Sequence, residues 1–229
     1  MKIISDIRLF KSNVENIDGY TPSYIDTKEI LPILKRVVMK LREHNFSLGD
    51  CTHLYINFTT CLPEGTMLLA NRTVIREDSW FKFYDVGVSA EFIEQMEIHK
   101  CYDAALELIK NVLLLYYIRE QDDLEIICSS FEIAVKQGEQ MLMKFKEKKS
   151  AKNHAIIYLR YLDTHKFLPL LRVYDNQNNL ILVKDLPASA ELNHLGTIQL
   201  SSKRVTIKPR QNIFAKDLKP ITYELYKEY

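Results

Sequence analysis

Side chains that could bind a metal ion are sparse along the 229 residues of this chain. The best group is His99, Cys101 and Asp103, because Asp103 follows His99 at a spacing that lets both share one helix face. One histidine and one carboxylate do not close a zinc site, and a local ion pair is the more frequent explanation of this spacing. The sequence therefore predicts neither a metal ion nor another cofactor.

The candidate nucleophile is Cys128, in the stretch Cys128-Ser129-Ser130. A reactive thiol needs a neighbouring base or cation that lowers its pKa, and no such group is visible around this cysteine. An inert, buried cysteine is the favoured interpretation. The G-x-S-x-G signature of serine hydrolases is also missing from the sequence, so we expect that the protein is not an enzyme.

Glycine is too widely spaced to build a phosphate-binding loop. The chain has six glycines, and no two of them are close neighbours in sequence. P-loop and dinucleotide-binding motifs need clustered glycines so that the backbone can approach the phosphates. These two classes of nucleotide-binding protein are excluded.

Two basic windows raise the alternative of nucleic-acid binding. Lys136–Lys152 carries six Lys against two Glu, and Gly196–Pro220 carries six Lys or Arg against one Asp. The whole chain has a net charge of only +1, so no long-range field favours nucleic acid. Solvated helix ends and a charged edge strand explain such windows more often. If nucleic acid binds, the phosphate contacts come from Lys144, Lys148, Lys203, Arg204 and Lys208.

The densest aromatic group suggests a protein-binding surface. Strand alternation predicts Trp80 and Tyr84 on one face and Phe81 and Phe83 on the other. One face must be core, while the other is either a recognition surface or covered by a helix.

Two acidic residues complete the candidate partner-binding set. Asp122 and Asp123 stand where the next helix should begin. A solvated helix start is the favoured explanation, because negative charge is stabilised at that end of a helix. The candidate partner-binding residues are thus Trp80, Tyr84, Asp122 and Asp123.

Hydrophobic periodicity predicts the elements that position these residues. In the first part of the chain, Leu54, Ile56 and Phe58 alternate with polar residues and should face the core. The predicted elements are a strand at Ile3–Phe10, a helix capped by Asp26 or Thr27 that ends near Asn45, and an antiparallel meander of the strand around Ile56 with Thr66–Ile75 and Trp80–Val88.

The middle of the chain reads as helical and the remainder as strands. A helix capped by Ser89 should extend to about Ile118, and another should span Ile126–Lys146. The strands predicted after it are Ala155–Leu162, Phe167–Tyr174 and Leu180–Lys184 in an antiparallel meander, then Thr197–Leu200 and Arg204–Ile207 before an irregular tail. Separate runs of helices and strands indicate an α+β fold with mostly antiparallel sheets and about three helices. We expect a single domain, 1–229, with a possible seam at 148–153.

Composition and termini indicate a cytoplasmic protein. The apolar run at the amino terminus is interrupted by Asp6 and Arg8, unlike a secretory signal, and the longest apolar stretch, Val112–Ile118, is too short to span a bilayer. The four cysteines contain no C-x-x-C pair, so we expect reduced and mostly buried thiols.

One block resembles a known class of proteins. The segment Leu54–Gly65, followed by Trp80–Gly87, resembles the layout of small cytoplasmic immunity proteins of bacterial polymorphic-toxin systems. The resemblance implies a non-enzymatic protein that binds a cognate toxin domain and occludes its active or substrate site. Contact surfaces differ among such proteins, so the resemblance assigns no binding residue.

Overall fold

The computed structural model describes residues 1–15, 22–25, 28–70, 80–98 and 102–225. The chain divides into two compact units, Met1–Gly138 and Glu139–Tyr229. The predicted α+β class is confirmed, since the helices lie in the first and middle parts and strands make up the rest. Residues 148–153, the predicted seam, contain the turn between the first two strands of the second unit. Among the described residues, no helix is both long and apolar enough to cross a membrane.

In its described residues, the first unit has a five-stranded mixed sheet and four helices. The sheet order is β2-β1-β3-β5-β4. Its elements are β1 (Asp6–Ser12), β2 (Ser23–Tyr24), α1 (Ile30–Glu43), β3 (His53–Thr59), β4 (Met67–Ala70), β5 (Phe81–Gly87), α2 (Ala90–Glu97), α3 (Tyr102–Tyr117) and α4 (Gln121–Gln137).

The central pairing of this sheet is parallel, so the predicted meander around β3 is wrong. β3 pairs in parallel with β1 and β5, while β4 pairs antiparallel with β5 at the edge. The turn before β4 is bound to the end of β5, since Gly65 N–H donates to Gly87 O at 2.9 Å. β4 therefore pairs with β5 and not with β3. Gly87 is required there, since a Cβ atom would lie 2.0 Å from the Pro63 carbonyl oxygen.

Both faces of β3 are buried. The prediction that Leu54, Ile56 and Phe58 face the core is confirmed, because each is 0% exposed. Helices cover this side, which we call the helix-covered face: Phe92 of α2 lies against Phe58, with 5.2 Å between ring centroids. The opposite side, which carries Tyr55, is buried as well. Burial on both faces is typical of a strand with parallel neighbours.

The helices depart from prediction where the chain changes direction. The Ser89 cap is confirmed, since its Oγ accepts the Phe92 N–H at 3.1 Å, but two helices, α2 and α3, replace the single predicted one. The helix predicted over Ile126–Lys146 exists as α4, but it ends at Gln137, before Gly138 with its positive φ of 51°, and residues 143–146 lie in a strand instead. The predicted caps Asp26 and Thr27 lie outside the described residues, as do residues 71–75 of the strand predicted to return from the turn.

The second unit consists of two antiparallel sheets. β6-β7-β8-β9 form one sheet and β10-β11-β12 the other. The prediction that the strands between Ala155 and Lys184 are antiparallel neighbours is confirmed. The elements are β6 (Met143–Lys149), β7 (Asn153–Tyr161), β8 (Phe167–Asp175), β9 (Leu180–Asp185), β10 (Thr197–Leu200), β11 (Arg204–Lys208) and β12 (Ile221–Glu224), of which β6 and β12 were not expected.

The burial of β3 predicts that Ile56→Asp prevents folding. An unpaired carboxylate at this fully buried position costs more than about 5 kcal/mol, which is comparable to the whole stability of a domain. Thr60→Asp is the control, because Thr60 is exposed just beyond the strand. Circular dichroism and thermal melting should show an unfolded Ile56→Asp chain and a folded control. A cooperatively melting Ile56→Asp protein would contradict the face assignment.

Candidate partner-binding surface

The side of the first sheet opposite the helices carries a continuous aromatic cluster, which we call the aromatic face. At its centre lie the buried rings of Phe10, Tyr55 and Phe83, on β1, β3 and β5 respectively. The centroid distances are 5.2 Å from Phe10 to Tyr55 and 5.0 Å from Tyr55 to Phe83. Parallel register brings these rings together, since Tyr55 is the direct neighbour of Phe83.

The aromatic face reaches solvent at its rim, which we define by Trp80, Tyr24 and Arg8. Trp80 is 42% exposed, and its ring meets His53 edge to face with 4.2 Å between centroids. Tyr24 is 49% exposed and contacts Phe10 edge to face at 5.7 Å. The Arg8 guanidinium lies 5.6 Å from the centroid of the Tyr55 ring. Trp, Tyr and Arg are the residue types that dominate binding energy at protein interfaces.

Charge at the rim is largely compensated. Arg8 Nε donates to Asp6 Oδ2 at 2.9 Å, and this hydrogen bond raises the pKa of Arg8. Burial lowers the pKa of His53, so its ring stays neutral at pH 7. The Nδ1 atom of His53 lies 2.8 Å from Thr52 Oγ1. Trp80 therefore stands in an uncharged aromatic setting, which suits protein binding.

Tyr84 lies on the other face from Trp80, so the prediction that the two share a face is wrong. The Tyr84 hydroxyl donates to the Tyr117 hydroxyl on α3 at 2.9 Å, and Tyr84 is 3% exposed. Burial raises the pKa of Tyr117. Alternation fails at Trp80 because this residue precedes the first paired position of β5, Phe81. Tyr84 is a core residue of the helix-covered face.

The two predicted carboxylates occupy the first turn of α4. Asp123 accepts the backbone N–H of Arg119 at 2.9 Å and of Glu120 at 3.2 Å, which caps the helix. Asp122 is exposed beside it. Helix capping thus accounts for Asp123, and only Asp122 presents its carboxylate to solvent.

Sequence reasoning missed a buried polar group at the carboxyl ends of the parallel strands. Asn57 Nδ2 donates to Ser12 Oγ at 3.0 Å and to Asp85 Oδ1 at 2.7 Å. Asn57 Oδ1 is buried and has no hydrogen-bond partner in the part of the chain that the structure describes. The sequence does show a polar residue in each of these strands, namely Ser12, Asn57 and Asp85. The parallel register that brings the three residues together was not predicted.

The five residues predicted to contact phosphate lie on or beside strands of both sheets of the second unit. Lys144 and Lys148 lie on β6, where Lys144 pairs with Glu147 at 2.9 Å. Arg204 and Lys208 are exposed at the two ends of β11, and Lys203 lies in the turn before it. Lys146, between the first two, donates to the carbonyl oxygens of Leu195 and Gly196, the latter by a shorter contact. Part of this positive charge therefore serves contacts within the unit.

The cysteines Cys51 and Cys128 differ in their exposure. Cys128 is exposed, so its expected burial is wrong. Cys51 is buried, and burial raises the pKa of its thiol. His99 and Cys101 lie outside the described residues. Within the described ranges, no group of three or more His, Cys, Asp or Glu could hold a metal ion.

His194 is a buried histidine of the second unit. It is 9% exposed, and its Nδ1 lies 3.4 Å from Ser189 Oγ. Its Nε2 is buried without a partner among the described residues. Burial lowers the pKa of His194, and the positive charge of Arg210 lowers it further. The neutral ring is therefore the form that the folded unit accommodates.

Comparison of the chain with protein-family models, with curated proteins and with solved structures gives no match.

The two faces of the sheet predict opposite outcomes for Tyr84→Ala and Trp80→Ala. Removal of the Tyr84 ring leaves a cavity and an unpaired Tyr117 hydroxyl, and should cost on the order of 3 to 5 kcal/mol. Trp80→Ala removes a partly exposed ring and should cost about 1 kcal/mol. Chemical denaturation of both variants measures the difference. Equal losses would show that Trp80 is a core residue and not a surface one.

Stability should fall on acidification because of His194. A depressed folded-state pKa means that the unfolded chain binds the proton more tightly. The contribution of His194 to folding stability is therefore complete above its unfolded-state pKa of about 6.5. It is lost as the pH falls toward the lower pKa of the folded state. Thermal melting between about pH 8 and about pH 5 should show this decline, and His194→Gln should reduce it to the part that comes from His53, whose pKa is also lowered by burial. His165→Gln, an exposed histidine in the same unit, is the control and should keep the slope.

Proposed function

We propose that this chain is a non-enzymatic binding protein that captures a partner protein through the rim of the aromatic face and occludes the partner's active or substrate site. The observation that carries the proposal is the half-exposed Trp80 ring, fixed against His53 at 4.2 Å. A tryptophan in this position can insert into a pocket of the partner.

The contacts beneath the rim lower the entropic cost of binding. Trp80 also meets Tyr55 edge to face at 6.2 Å and Phe81 at 5.4 Å, so three rings restrict its rotation before any partner arrives. Side chains that are already ordered lose less freedom on association. Tyr24 and Arg8 extend the same surface and add a hydroxyl and a guanidinium for hydrogen bonding.

The nature of the partner follows from the resemblance of Leu54–Gly65 and Trp80–Gly87 to immunity proteins. We take the partner to be a toxin domain encoded next to this chain, met in the cytoplasm. Neutralisation requires only that the bound chain covers the toxin's catalytic or substrate-binding site. No group of this chain needs to react.

The proposal predicts that Trp80→Ala abolishes tight binding while the fold persists. Removal of a central tryptophan costs about 2 to 4 kcal/mol at an interface, so the dissociation constant should rise at least about 30-fold. The experiment is calorimetric titration of the protein with the purified product of the neighbouring reading frame. Phe214→Ala is the matched control, because Phe214 is an exposed aromatic residue of the second unit.

Cell survival supplies the second readout. Co-expression should protect cells from the neighbouring product, and Trp80→Ala should lose that protection. If the wild-type chain neither binds the product nor protects the cells, the proposal is overturned. Titration with fluorescent nucleic acid at two salt concentrations tests the alternative, because phosphate-driven binding through Lys148, Arg204 and Lys208 must weaken steeply with salt.

A further inference from the structure

A groove runs between α3 and α4, apart from the residues of the aromatic face. It has a volume of about 450 Å³. Four residues line it from each helix: Asp103, Leu106, Glu107 and Lys110 from α3, and Cys128, Phe131, Glu132 and Val135 from α4.

The spacing of the lining residues matches the seat of a third helix. On each helix they fall at i, i+3, i+4 and i+7, which is one continuous stripe of about 10 Å along the axis. Two such stripes side by side form the kind of groove into which the side-chain ridge of another helix packs. The groove therefore accommodates about two turns of a docked helix.

The floor of the groove is apolar and its margin is partly open. Leu106 and Phe131 are buried and form the base. Val135 is 52% exposed, and Cys128 is exposed beside it. A helix with a leucine-like stripe would cover these two side chains and remove apolar surface from water.

The charges around the groove define the chemistry of the occupant. Glu107 is engaged by Lys110, with 2.6 Å between Oε1 and Nζ. Asp103 and Glu132 are exposed and form no ion pair with any described residue. Two uncompensated carboxylates flank an apolar floor, so the complementary ligand is apolar along one stripe and positively charged beside it.

We infer that the α3–α4 groove docks a basic amphipathic α-helix of a partner protein. The leucine-type stripe of that helix lies on Leu106, Phe131 and Val135, and its Lys or Arg side chains meet Asp103 and Glu132. This surface is independent of Trp80 and of the toxin-binding proposal, so each can fail while the other stands.

The test uses three synthetic peptides of about 18 residues, a length at which amphipathic helices form on binding. The first carries Leu at i, i+3, i+4 and i+7 with Lys elsewhere. The second has the same Leu stripe with Glu in place of Lys, and the third has the composition of the first with the stripe scrambled. Binding is measured by fluorescence anisotropy at about 50 and about 500 mM NaCl.

Cys128 reports whether a bound peptide lies in the groove. In a Cys61→Ser, Cys101→Ser background, Cys51 is buried and Cys128 is the accessible thiol for a maleimide. The Leu-Lys peptide should bind saturably, weaken with salt, and slow the reaction of Cys128 at least about tenfold when the groove is nearly saturated. The Glu peptide and the scrambled peptide should do neither.

Two variants, one in the groove and one on α2, separate groove binding from general attraction to acidic surface. Glu132→Lys reverses a charge in the groove and should weaken the Leu-Lys peptide about tenfold. Glu94→Lys reverses an exposed charge of α2, outside the groove, and should change affinity less than about twofold. Equal effects of the two variants, equal binding of the scrambled peptide, or an unprotected Cys128 would each overturn the inference.

Discussion

The parallel pairing of β3 with β1 and β5 is the constraint on which the first unit depends. A strand with parallel neighbours on both sides is shielded from water on both faces. Leu54, Ile56 and Phe58 are therefore buried on the helix-covered face, while Tyr55 is buried among other aromatic rings. Polar residues caught in such a strand must satisfy one another, as Asn57 does with Ser12 and Asp85. Of the described residues of the aromatic face, those at its margins, such as Trp80 and Tyr24, reach solvent.

Local pattern was sufficient for elements whose partners are close in sequence and insufficient for the others. The antiparallel neighbours β7, β8 and β9 follow one another through short turns, so alternation and turn residues identify both strands and pairing. The partners of Asn57 lie 45 and 28 residues away, and no local signal distinguishes parallel from antiparallel pairing there. At the candidate site, the density of aromatic residues identified Trp80, but its face was predicted wrongly, because alternation holds only from Phe81, where pairing in β5 begins.

The first unit carries two surfaces of different physical character. The rim of the aromatic face is neutral and preorganised, since His53 is uncharged and Arg8 is bound to Asp6. The α3–α4 groove is acidic at its margins and apolar at its base. The first suits affinity through a few ordered anchors, and the second suits charge-guided encounter.

The lysines of β6 have a further consequence, which concerns the behaviour of the protein at high concentration. β6 is an edge strand of its sheet, and edge strands expose backbone groups that can pair with another molecule. Lys144 and Lys148 place charge along this edge, and the irregular register between Lys144 and Lys146 distorts it. Charge and bulge together discourage edge-to-edge aggregation. Lys144 and Lys148, which the sequence suggested as nucleic-acid contacts, thus also oppose self-association of the protein into fibres.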